Sequence, residues 1–307
     1  MSSSNDKPLA KRVKGDLGVR GHRQDVEMPD AQLMDGAKLA REIVAQSAER
    51  AAAFLQRTGK RPCLAAVLVG EDPASVTYVR MKRNRCEQAG IESRQVTLPS
   101  ETTTAELVAA VDELSQDASV HGILLQHPVP TQIEERAAFE AISPEKDVDG
   151  VTMHSFAAMA FGEPGFASCT PGGIMRLLEA YEVDPRGKHA VVVGRSPILG
   201  KPVGMLLLAR DATVTYCHSR TVELESIIAT ADILVAAVGK PEFVRGEWVK
   251  PGAVVLDAGY NAGNVGDVAF EEARRRASLI TPVPGGVGPM TIAVLLEQTV
   301  QAAIDQS

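Results

Sequence analysis

Aromatic residues are scarce in this chain: one Trp, four Tyr and seven Phe make up 4% of its 307 residues. That argues against the stacking platforms on which proteins hold single-stranded nucleic acid. Positive charge is in deficit as well, with a formal net charge of -7 and a pI of about 5.5. Without a basic footprint, nucleic acid is not expected as a partner. Cysteine is sparse and dispersed. Cys63, Cys86, Cys169 and Cys217 form no CxxC pair, so neither a zinc cluster nor a dithiol redox motif is expected. The six histidines show no HExxH or similar spacing, and no metal is expected. No apolar run reaches the length of a membrane span, so no membrane partner is expected. A secretory h-region is missing too, and small buried thiols suit a cytoplasmic protein.

What is present is the composition of an ordinary globular protein, 45% apolar and 23% charged, in a length that suits two domains. Residues 1–30 mix charges of both signs without an apolar period and read as a disordered tail. Asp6, Asp16, Asp25 and Glu27 spoil the acid-poor pattern of a transit peptide. From about residue 31 the chain alternates. LAREIVAQSAERAAAFLQR predicts a helix and CLAAVLVG a buried strand; SVTYVRMKRNRCEQAG predicts a helix and SRQVTLP a strand. TTAELVAAVDELSQD predicts a Thr-capped helix, VHGILLQHPVP a strand stopped by prolines, and TQIEERAAFEAI another helix. The stretch 146–171 reads as a loop region. GGIMRLLEAYEV then restarts the rhythm as a helix. HAVVVGRS, ATVTYCHS, DILVAAVG and AVVLDAGYN predict strands, and a last helix follows TPVPGGVGP. Such βαβ repetition predicts an α/β fold with parallel sheets, the second domain beginning near residue 172.

VVVGRSPILGKP is a strand, a glycine turn and a helix start, the context in which backbone N–H groups hold a pyrophosphate. Gly194 and Gly200 are six apart, so this is not the GxGxxG fingerprint, and a packing role alone would also account for them. Arg195 and Ser196 follow directly and would lie beside a nucleotide. The next strand ends in His218, Ser219 and Arg220 rather than an acid. A ribose 2′-hydroxyl calls for a carboxylate there and a 2′-phosphate for cations and donors, so this set favours NADP over NAD. A further strand end places Gly239 and Pro241 at the carboxyl edge of the sheet. In the first half, Tyr78 and Lys82 are four apart and share one helix face with Ser75. Gln126 ends an apolar strand, KDVDG places two carboxylates in a loop, and TPVPGGVGPMT is a stiff loop before a helix. Singly, each has a plain structural reading: a solvated lysine, a strand-end hydrogen bond, a turn, a connector.

Their order is distinctive. VGEDPASVTYVRMK, GILLQHPVP, KDVDG, CTPGGI, VVVGRSPILGKPV, ATVTYCHSRT, ADILVAAVGKP and PVPGGVGPMTIAVLL run from about residue 35 to residue 300. Together they closely resemble the bifunctional methylenetetrahydrofolate dehydrogenase/methenyltetrahydrofolate cyclohydrolase family. The resemblance implies an N-terminal folate domain over 31–152, completed by the final helix 289–307, and a Rossmann-like NADP domain over 172–285. A cleft between them would hold the active site, and the enzyme would be a homodimer of one-carbon metabolism. It implies that Tyr78 stacks on the pterin, that Lys82 is the key catalytic group paired with Gln126, and that Asp149 binds the pterin ring. Gly286 and Pro289 would face the substrate. Gly194, Arg195, Ser196, Gly200, His218, Ser219 and Gly239 would face the cofactor. His127, Ser168 and Tyr260 depart from the family's usual Leu, Pro and Ile. The implied reactions are NADP-dependent oxidation of 5,10-methylenetetrahydrofolate and hydrolysis of the methenyl product to 10-formyltetrahydrofolate, which feeds purine biosynthesis. A dehydrogenase without the hydrolase step would be expected to lack the Tyr/Lys/Gln set. A folate- or nucleotide-binding protein without catalysis would have no use for Lys82 and Gln126.

Overall fold

The computed structural model describes residues 30–70 and 82–307. The expected disordered tail falls on 1–30, of which only Asp30 is described. Tyr78 and Ser75 also lie outside the described residues.

Apolar β-branched runs form two sheets, and every ladder in both is parallel. The smaller has the order β3-β2-β4, from Glu92–Leu98, Cys63–Val69 and Gly122–Leu125. Strand β2 is buried at all seven positions, as a central strand covered on both faces must be. The larger sheet has six strands in the order β1-β9-β8-β7-β5-β6. Its longer strands are β5 (His189–Val193), β6 (Thr213–Cys217), which forms one edge, β7 (Ile233–Ala236) and β8 (Val254–Asp257). At its edge, β9 (Leu279–Ile280) pairs with β1 (Gln32–Leu33). The described residues therefore contribute a strand to the larger sheet before the chain crosses to the smaller one. The sequence-based first domain includes Gln32 and Leu33, yet both belong to the second sheet. So short a strand has no readable alternation.

Counted from β5, the order is the 2-1-3-4-5 pattern of a doubly wound fold. Its switch point falls between β5 and β7, which is where such folds bind ligands at the carboxyl edge. The helix Gly36–Thr58 starts at Asp35, whose side chain accepts from the Lys38 N–H, and ends at the left-handed Gly59. The C-terminal helix, Val287–Asp305, packs against that helix and against Cys169–Ala180. Its Val287, Met290 and Ala293 join the core over the larger sheet. Its Val294, Leu295, Leu296 and Val300 join the core beside the smaller one. It thereby ties the two sheets together. It is long and apolar enough to cross a membrane, contrary to the sequence reading, but more than half of it is buried inside the protein. A helix facing two cores is apolar all round for that reason.

Besides the short strands β1 and β9, three helical elements differ from expectation. Met153–Phe161 is a helix within the stretch read as loop. The helix expected over 131–142 is confined to Glu135–Glu140. Phe270–Arg274 forms a short helix before β9.

Candidate active site

Residues 82–88 are helical and turn Lys82 inward, where it is only 7% exposed. Strand β4 ends at Leu125, and the next residue, Gln126, is buried at the carboxyl edge of the smaller sheet. Lys82 Nζ donates to Gln126 Oε1 at 3.1 Å, and Gln126 Nε2 donates to the carbonyl of His127 at 2.9 Å. The amide thus presents its oxygen to the amine and is held in that orientation by the backbone. Burial pushes the Lys82 amine below the usual lysine range, with the charge of Asp149 acting in the opposite direction. Burial likewise raises the Asp149 carboxyl, while Lys82 and His127 oppose the rise. Asp149, Lys82, Gln126 and His127 therefore share one site. His127 rests edge-on against Phe139, with ring centroids 6.0 Å apart.

The KDVDG stretch divides its charges between scaffold and site. Lys146 Nζ donates to the carbonyls of Leu114, Ser115 and Asp117 at 3.2, 2.6 and 2.9 Å, satisfying the end of the helix Thr104–Gln116. Asp147 is fully buried. It accepts from the N–H groups of Val151 and Thr152 and from the hydroxyls of Thr152 and Ser155. That leaves Asp149 as the acid facing Lys82. Ser168 donates to the Gly150 carbonyl at 2.7 Å and pins this loop to the next helix. Cys169, which the sequence marked only as a small buried thiol, donates to the Val148 carbonyl at 3.2 Å and lies against Asp149. Burial and that carboxylate hold its thiol well above the usual range, so it is a protonated neighbour rather than a nucleophile.

Around the larger sheet, Gly194 follows β5 with φ 137°, and a Cβ there would run into the Ala237 carbonyl after β7. Only glycine allows the two strand ends to approach this closely at the switch point. A Cβ on Gly200 would meet the Gly194 carbonyl, so the helix Gly200–Leu208 starts directly on the turn. Ser196 Oγ accepts from the Leu199 and Gly200 N–H groups at 3.1 and 3.3 Å, which leaves Arg195 exposed on the rim. Ile198 of the same turn packs on the core of the smaller sheet, so the turn borders both units. After β6, His218 Nδ1 accepts from the Arg220 N–H at 3.1 Å and Ser219 is exposed. No acid stands among 218–220. Gly239 has φ 64° and its N–H is bonded to Asp267, a buried acid that no sequence pattern singled out. Gly286 is buried in the loop before the last helix, and its neighbour Gly285 accepts from the Ala37 N–H at 2.8 Å. Pro289 lies partly exposed in that helix's first turn. The four cysteines are free and buried, and among the described residues no acid, His and Cys cluster is grouped to hold a metal.

Two family models match. The tetrahydrofolate dehydrogenase/cyclohydrolase catalytic domain covers residues 34–149, and the NAD(P)-binding domain of the same family covers residues 168–307. A curated relative from Streptomyces avermitilis, named bifunctional protein FolD 1, is 72% identical over 276 residues, 90% of this chain and 96% of the relative. Among solved structures, the bifunctional FolD methylenetetrahydrofolate dehydrogenase/cyclohydrolase of Campylobacter jejuni superposes with TM-score 0.88 at 44% identity, covering 90% of this chain and 100% of its own. A Trypanosoma brucei methylenetetrahydrofolate dehydrogenase-cyclohydrolase complexed with NADP cofactor and inhibitor superposes with TM-score 0.87 at 38% identity, covering 91% and 99%.

Proposed function

The chain belongs to the tetrahydrofolate dehydrogenase/cyclohydrolase family, and from that premise we infer that it oxidises 5,10-methylenetetrahydrofolate with NADP and hydrolyses the methenyl product to 10-formyltetrahydrofolate. The observation that carries the reading is the buried Lys82–Gln126 pair facing Asp149 at the edge of the smaller sheet.

NADP supplies the hydride acceptor for the first reaction. The switch-point turn fits it: Gly194 lets the turn close against Ala237, Gly200 lets the helix start directly on it, and Arg195 and Ser219 are exposed beside it. His218, Gly239 and the cap residue Ser196 complete the cofactor side. Hydride transfer needs alignment and exclusion of water, not a proton carrier. The second reaction adds water to the methenyl carbon and opens the ring, so it moves protons. Lys82, with its amine shifted toward the neutral form, is the group that moves them. Gln126 orients that amine without restoring its charge as a carboxylate would. Asp149 accepts from the amino and ring N–H donors of the pterin, Tyr78 stacks on its ring, and Gly286 and Pro289 close the far side.

The finer reading is a cytoplasmic homodimer without a nucleic-acid or membrane partner. Free buried thiols support the compartment and the acidic pI argues against nucleic acid, while the dimer rests on the family resemblance alone. Light scattering on the purified protein should give twice the mass of 32.6 kDa. The activity itself is tested by supplying methylenetetrahydrofolate and NADP, following NADPH, and following methenyl hydrolysis separately. Both reactions are expected. NADPH formation without hydrolysis would reduce the protein to a dehydrogenase, and neither would leave a binding protein.

A further inference from the structure

Two carboxylates outside the catalytic cluster tie together the loops at the carboxyl edge of the larger sheet. Asp267 is fully buried. Its Oδ2 accepts from the Val238 and Gly239 N–H groups at 2.6 and 2.8 Å. Its Oδ1 accepts from the Lys240 N–H at 2.9 Å and from Asn261 Nδ2 at 3.0 Å. Three successive amides after β7 thus converge on one side chain. Asp257, the last residue of β8 and 3% exposed, accepts from the N–H groups of Gly259, Asp267 and Val268, each at 2.9 Å. Its own N–H donates to Thr281 Oγ1 at 2.8 Å, and Thr281 opens the loop that leads to Gly286.

The surroundings are cut to fit these acids. A Cβ on Gly259 would strike the Asp267 carboxylate, and a Cβ on Gly266 would strike that of Asp257. On the other side, Ala237 at the head of the same loop is the residue against which Gly194 packs. One chain of contacts therefore runs from the Gly194 turn through 237–240 to Asp267, then to Asp257 and Thr281. Two buried carboxylates beside each other are costly unless each is well bonded. The seven donors that converge on them meet that cost and make the loop geometry rigid.

We propose that Asp267 and Asp257 are positioning residues for the dehydrogenase reaction, holding the 237–241 loop and the Thr281 loop in one frame so that cofactor and folate meet in register. The inference rests on the NADP-dependent reading above. Neither acid touches the Lys82–Gln126–Asp149 cluster, which is built from the other sheet, so the two reactions should respond differently. Asp267→Asn replaces one acceptor oxygen by an amino group that opposes the amides. In protein whose unsubstituted form turns over methylenetetrahydrofolate with NADP, this change should raise KM for NADP roughly tenfold and lower dehydrogenase kcat, while methenyl hydrolysis stays within about twofold. Loss of both activities in one proportion, or an unchanged KM for NADP, would overturn the proposal. Should Asp267→Asn not fold, Asn261→Ala removes a single donor from Oδ1. It should raise KM for NADP about threefold with hydrolysis unaltered, and no change in the ratio of the two activities would overturn the proposal equally. Absence of NADP turnover in the unsubstituted protein would instead refute the reading on which it rests.

Discussion

Asp147 commits both oxygens to Val151, Thr152 and Ser155, whereas Asp149, two residues on, faces an amine. The sequence presents them as two acids in one loop; which one is scaffold depends on which is enclosed, and enclosure cannot be read from KDVDG. Asp149→Ala is expected to raise the folate KM or abolish both activities while NADP binding stays near normal. Asp147→Ala should instead lower stability by about 3 kcal/mol or more, because buried donors lose their acceptor. Urea titration beside the two KM values separates these outcomes; the reverse pattern would move the assignment by one side chain. Arg195 stands exposed on the Gly194 turn. Arg195→Ala should weaken NADP about tenfold, with a smaller effect on NAD, since a charge-assisted phosphate contact is lost. Equal losses with the two cofactors would remove it from the 2′-phosphate. Burial shifts Lys82 toward its neutral form, so its titration falls below the ordinary lysine range. If the neutral amine takes up the proton, hydrolysis rises with pH through that titration and falls as the amine is protonated. The limb should be present in the pH profile of the unsubstituted protein and persist in that of Asp147→Ala; a flat profile across that range would take the proton from Lys82.

The strands were legible because parallel strands buried on both faces are continuous apolar runs, as Cys63–Val69 and His189–Val193 are. The helix Thr104–Gln116 was legible from its cap. Thr103 Oγ1 accepts from the Glu106 N–H while Glu106 reaches back to the Thr103 N–H. Thr103→Ala should cost about 1 kcal/mol in a denaturant titration, and an unchanged midpoint would deny the box its role. The helix Met153–Phe161 was not legible. Its sequence is apolar nearly all round, and Met153 and Phe161 are 63% and 81% exposed, so no amphipathic period marks it. Its start is set by the Thr152 cap and by Asp147, contacts that exist only after the loop has closed. The Gly194 turn between strand and helix was read from its glycines, but the anchor of the neighbouring loop, Asp267, lies 28 residues from Gly239 and carries no local signal.

At the scale of the molecule, the C-terminal helix joins the cores of both sheets, and the Gly194 turn leans on the smaller unit through Ile198. The amine cluster and the Gly194 turn thus stand on opposite units of one folded body. Among the described residues, Lys82, Gln126, Gly194 and Gly239 stand at or beside strand ends rather than next to one another in sequence, so the motifs are legible as an ordered set and not as one local pattern. This arrangement also predicts that the two reactions share a substrate site and differ in the groups that act. The most direct test is Lys82→Met, assayed for methenyl hydrolysis and for NADPH formation on the same preparation. Hydrolysis should be lost and NADPH formation retained at least in part; normal hydrolysis would contradict the account and return Lys82 to a merely buried charge.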